Sequence, residues 1–267
     1  MHSEWKLALA TAVVCLLLGC AGAAAQNANI SLVSEADSLK NITRLFNDPA
    51  TPAASFDSAV DLFREAYPQS KKMLPVLVTA VRFHRLHGNY LPELHYGLLA
   101  LQMDPHDVYV LSSLGMAIPD NVKTTDLDMD QRLSQAESFD RQVLAVTAAF
   151  QITADGLSYG GGHYTQAQAQ TLRNNLNSGA YLSLGRIATV REKYPDAIAA
   201  FEKAITFQPQ LADQAQSYYQ IGVAQAGAKN VSAARAAFAK ARQLAPKAGL
   251  LQRMVQIAED KLTDGGL

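Results

Sequence analysis

A 37-residue internal repeat constrains this chain more than any other feature. From Gly185, forward steps of 12, 16, 19 and 24 reach Ala197, Phe201, Ala204 and Pro209. From Gly222 the same steps reach Ala234, Phe238, Ala241 and Pro246. Leu184 and Ile221 precede the glycines by one, and Tyr181 and Tyr218 by four. A period of this length marks a supersecondary unit that buries its apolar face only by stacking on copies of itself. The residue types fit two antiparallel helices per unit. Each Gly lets a first helix approach its partner closely, each Ala does the same from the second helix, and the Phe one turn later fills the crevice. The Pro closes the second helix, since its ring is excluded from helix interiors.

These residues, spanning about 178–211 and 215–248, resemble the tetratricopeptide-repeat (TPR) pattern. The resemblance implies an all-α, right-handed helical solenoid whose concave groove binds a peptide or a partner domain, without catalysis. One departure is shared by the two units. Where such repeats carry a large residue three after the Gly, this chain has Ala188 and Gln225, and Ala188 should loosen the helix packing. Upstream the pattern decays. Ala59, Phe63 and Ala66 keep the second-helix spacing, and Ala100 and Pro105 keep the terminal pair after a Gly88-Asn89-Tyr90 turn. Val81, Glu93 and Gly97 occupy other key sites; Leu111, Leu114 and Gly115 copy a first helix with no Ala twelve residues later.

Apolar periodicity and breakers predict helices at 31–47, 55–66, 73–87, 90–103, 107–117, 129–151, 165–192, 195–207, 212–226, 231–243 and 247–262. That makes five antiparallel pairs and a C-terminal capping helix. No strand is expected, because alternation with β-branched residues never lasts beyond four positions. Organisation follows: a leader at 1–25, an N-terminal helix and linker at 26–54, degenerate helix pairs at 55–163, and two clear units plus the cap at 164–267. Two loops, Pro119 to Leu127 and Thr153 to His163, hold the excess length of the middle region. Loops on a rigid scaffold often carry function.

The leader has a short polar start, Met1 to Lys6, an apolar run from Leu7 to Leu18, and small residues to Ala25, the shape of a secretory signal. Two cleavages compete. Leu17-Leu18-Gly19-Cys20 resembles the lipobox of bacterial lipoproteins, with Cys20 as the lipidated new N-terminus, although Leu18 stands where a small residue is usual. Ala23-Ala24-Ala25 before Gln26 fits ordinary secretion, and an uncleaved anchor is the third reading. Each takes the body out of the cytoplasm, to the periplasm, with membrane contact only through the leader.

Both cysteines, Cys15 and Cys20, lie in the leader, so the body has no disulfide, thiolate nucleophile or Cys-ligated metal. A formal net charge of −1 gives no bulk attraction to nucleic acid. Asp126, Asp128, Asp130 and Glu137 have EF-hand-like spacing, but Gln131 stands where that loop needs Gly; acidic residues at a helix N-terminus explain them better. Gly160-Gly161-Gly162 before His163 lacks the strand and Lys-Ser/Thr of a phosphate loop and reads as a flexible connector. His84, His87 and His95 sit beside Arg82 and Arg85, which would repel a cation, and read as surface histidines. No Gly-x-Ser-x-Gly motif occurs. No cofactor, metal or catalytic residue is assigned. Helical phase places Arg82, Tyr109, Arg186, Gln216 and Tyr219 in the groove as peptide-binding candidates. The alternative is an envelope enzyme built around the 153–163 loop, with Asp155, Tyr159 and His163.

Overall fold

The computed structural model describes residues 33–160, 162–246 and 249–263. Among them are eleven helices: α1 Glu35–Asn47, α2 Ala53–Ala66, α3 Met73–His87, α4 Tyr90–Met103, α5 Val108–Asn121, α6 Met129–Ala148, α7 Gln166–Val190, α8 Tyr194–Ile205, α9 Leu211–Gly227, α10 Val231–Leu244 and α11 Leu250–Thr263. Short strands β1 Leu157–Tyr159 and β2 Gly162–Tyr164 lie between α6 and α7. The leader, including Cys20, lies outside the described residues. No helix among the described residues is long and apolar enough to cross a membrane.

Local chemistry sets the helix ends. Ser34 accepts the amide of Asp37 at the start of α1. Gly88, at φ 69°, ends α3 in the left-handed conformation that glycine adopts without a Cβ penalty. Thr165 and Gln168 form a reciprocal capping box that starts the 25-residue α7. Pro195 sits in the first turn of α8, where its missing N–H costs nothing.

The chain divides into two compact units at Gly88/Asn89. In the first, α1, α2 and α3 pack on one another around Phe56, Val60, Phe63 and Phe83. Phe56 and Phe83 stack with centroids 3.9 Å apart. His84 corrects the surface reading of the histidines. It is fully buried beside that stack, its Nε2 2.7 Å from Asp57 Oδ1. Burial draws its pKa down, against the opposing pull of Asp57.

In the second unit each helix from α4 to α11 packs on the next, and α5–α7, α7–α9 and α9–α11 also touch. Contacts to the next helix and the next but one are those of an α-solenoid. The repeat residues form its core. An ideal Cβ on Gly185 would lie 2.4 Å from the Phe201 ring, and one on Gly222 2.4 Å from the Phe238 ring. The close approach read from the spacing is therefore present twice, in the same form. Val255, Ala258 and Leu262 of α11 cover the last apolar face around Phe238 and Ala241.

Two local readings are corrected. The segment after α6 is a hairpin rather than a connector: β1 and β2 pair antiparallel, Leu157 opposite Tyr164 and Tyr159 opposite Gly162. A two-residue connection of this kind needs positive φ, which Gly160 supplies at 57°. Second, α5 does not stop before Pro119 but runs through it to Asn121. Proline has no N–H for the carbonyl four residues back, here Gly115. The Ser183 hydroxyl of α7 donates to that Gly115 oxygen at 2.7 Å and satisfies it instead.

Candidate functional site

First-position helices α5, α7 and α9 lie side by side, and the groove candidates of the second unit sit on them. Tyr109 on α5, Arg186 on α7, and Gln216 and Tyr219 on α9 are all half-buried. Arg186 ties α7 to α5 through an ion pair with Asp120 at 2.9 Å, its side chain 18% exposed against 53% for the aspartate. Tyr219 also packs inward, its ring 5.9 Å from that of Phe238, and burial raises its pKa. Arg82 is exposed on α3 in the first unit.

Beneath this face a buried polar chain fixes the relative placement of the helices. Gln208, in the α8–α9 turn, donates to Ser178 Oγ at 2.8 Å and accepts from Ser217 Oγ at 2.9 Å. Its backbone oxygen accepts from the Gln214 side chain at 2.8 Å. Thr147 donates to Asn177 at 2.5 Å, joining α6 to α7. A side-chain amide satisfied on both ends has one geometry, so the network pins α9 against α7.

Asp140 was not singled out by any sequence motif. It is fully buried on α6, and neither carboxyl oxygen has a hydrogen-bond partner among the described residues. A Cβ on Gly115 would lie 2.3 Å from its Oδ1, so this glycine accommodates Asp140, whereas Gly185 and Gly222 face the rings of Phe201 and Phe238. Burial holds the carboxyl well above the usual carboxylate range; the neighbouring Ser183 hydroxyl and the Arg186 charge oppose this and the Glu137 charge adds to it. The Ser183 proton is already committed to Gly115. Burial thus disfavours the charged form of Asp140, which packs against α5 and α7.

The other candidate groups are held by protein partners. Arg132 engages Asp126 at 3.2 Å and Asp128 at 3.7 Å, and Arg191 reaches Asp130 at 3.7 Å. Glu137 pairs with both Arg141 and Arg191 at 2.7 Å, which lowers its pKa. Asp128 stands at the N-cap of α6 without a side-chain capping bond, and Asp130 lies in its first turn. His87 Nδ1 meets the Phe83 carbonyl at 2.8 Å, and His95 lies edge-on to Tyr96. No group of three His, Cys, Asp or Glu among the described residues is placed to hold a metal. In the hairpin, the Tyr159 hydroxyl donates to the His106 carbonyl at 3.2 Å and its ring leans on Phe150. His163 faces Ser158 across the exposed ladder at 3.4 Å, and Asp155 is exposed.

No family model matches the chain, and no curated protein sequence does. Solved structures do. The chain is similar to TTC0263, a thermophilic TPR protein of Thermus thermophilus, with 17% identity and a TM-score of 0.50 over 84% of this chain and 98% of that one. The fold is that of TPR proteins. The chain is also similar to Acl4, an assembly chaperone of RpL4, with 13% identity and a TM-score of 0.54 over 88% of this chain and 87% of that one. A TPR-like, all-α stack is the architecture that the Gly, Ala, Phe and Pro spacing implied.

Proposed function

We propose that this protein is a non-catalytic interaction scaffold of the bacterial cell envelope that holds a peptide or partner domain in its TPR groove. The supporting observation is the face of α5, α7 and α9, where Tyr109, Arg186, Gln216 and Tyr219 stand on helices joined by the Gln208 bonds between α7 and α9 and by the Arg186–Asp120 and Ser183–Gly115 contacts between α7 and α5. Half-buried aromatic and amide groups and an arginine, spread along three packed helices, can bind a chain at little ordering cost. The fold supports an interaction role in general terms, and the candidate groove residues make it specific. The envelope address rests on the leader: lipidation at Cys20 anchors the body to a membrane, whereas cleavage before Gln26 leaves it free in the periplasm.

Crosslinking and pull-down from envelope extract tests the binding role. The wild-type chain should recover a defined protein, and Arg186→Glu, folded by circular dichroism, should recover at least about tenfold less, as for loss of a charged contact at an interface. Equal recovery by the two would overturn the groove reading. The intact mass of the exported protein tests the address, since a lipid-modified species begins at Cys20 and a soluble one at Gln26.

A further inference from the structure

The opposite side of the same helices carries a second repeated surface. A cleft of about 480 Å³ opens between α6, α7 and α8, floored by Tyr181, Leu184 and Ala188. A second, of about 450 Å³, opens between α8, α9 and α10, floored by Tyr218 and Ile221. The two are copies at the sequence period. Tyr181 corresponds to Tyr218, Leu184 to Ile221, Ala200 to Ala237 and Lys203 to Lys240, each 37 residues on. The first cleft lies where Ala188 replaces a large residue. At about 100° per residue, Leu184 and Ala188 are each about 200° round α7 from Arg186, so these clefts face away from the groove.

Their charge is uneven. Four cations (Arg141, Arg191, Lys193 and Lys203) and two carboxylates (Glu137 and Asp196) line the first cleft. Glu137 is held between Arg141 and Arg191, and Arg191 also reaches Asp130, so the excess positive charge at this cleft rests on Lys193 and Lys203 against Asp196. Lys240 and Glu202 balance at the second. An occupant must therefore be apolar where it enters the floors and acidic along the rim. Adjacent clefts are about one helix diameter apart, roughly 10 Å, which an extended chain spans in about three residues.

We propose that the tandem clefts form a docking surface for an extended acidic segment of a partner protein, with two apolar anchor residues about three positions apart. The interaction is separate from the groove and adds a second partner contact to the scaffold.

The probe is a fluorescein-labelled synthetic octapeptide of Asp and Glu with two Leu three positions apart, titrated against the full chain by fluorescence anisotropy. The peptide should bind saturably, more weakly as salt rises, and a counterpart with Lys at every acidic position should not bind. Lys203→Glu with Lys240→Glu should weaken binding at least tenfold. Ala188→Leu should also weaken it at least tenfold, with a melting temperature at or above wild type because the side chain refills the cleft. Arg186→Glu should leave this binding unchanged, which separates its failure from that of the groove reading. No binding by the wild type, equal binding of the Lys counterpart, or binding indifferent to both sets of cleft substitutions would overturn the proposal.

Discussion

Gly185 and Gly179 lie on the same helix and differ in what a Cβ would meet, so alanine at each isolates the packing claim. At Gly185 the new carbon would lie 2.4 Å from the Phe201 ring, and Phe201 is fully buried. Carbon atoms sit about 3.5–4.0 Å apart at contact, so ring or helix must shift by more than an ångström. Such overpacking costs about 1–3 kcal/mol. Removing a mid-helix glycine returns about 1 kcal/mol of helix propensity, leaving Gly185→Ala destabilising by about 0–2 kcal/mol. At Gly179 the nearest atom is the flexible Met116 sulfur at 3.1 Å, so alanine there gains propensity at little packing cost. Gly185→Leu adds bulk without further propensity and should cost about 1–3 kcal/mol or more. Thermal melts should rank Gly179→Ala above Gly185→Ala above Gly185→Leu, at about 2–4 °C per kcal/mol. Gly185→Ala melting at or above Gly179→Ala would refute the close approach and with it the repeat alignment.

Ser183→Ala should strip the Gly115 carbonyl of its donor and cost about 1–3 kcal/mol; in a Pro119→Ala background, which restores the backbone N–H, denaturant melts should show a smaller cost. Asp140→Asn should raise the melting temperature at neutral pH. Because the folded carboxyl has a raised pKa, stability falls as pH rises from the unfolded value of 3.8 toward the folded one, so the gain over wild type should vanish near pH 4. His84 has the opposite sign: its folded pKa lies below 6.5, so its contribution is present above 6.5 and lost on acidification, and His84→Phe should remove that loss in melts recorded between pH 7 and 5.

Helices α3, α4 and α10 were legible almost to the residue because apolar periodicity meets Gly88, Pro105 and Pro246 at their edges. The hairpin was not. Two strands of three residues cannot display alternation, and the Gly run between them reads equally as a connector. Pro119 read as a stop because the hydroxyl that rescues its helix comes from Ser183, 68 residues after the carbonyl it serves. Asp140 and the Asp120 partner of Arg186 carry no motif, since tertiary packing alone buries one and engages the other. Ala188 was the exception. A single departure from the repeat pattern, visible in the sequence, marks the place where a cleft opens.

Where a partner touches the chain separates a groove on α5, α7 and α9 from a site on the hairpin. A photo-crosslinking amino acid installed in living cells at positions 109, 216 and 219, and at 155 and 163 of the hairpin, reports contacts one at a time. Positions 109, 216 and 219 should form an adduct with one common protein, and neither hairpin position should. Adducts confined to positions 155 and 163 would contradict groove binding and favour a site built on the hairpin.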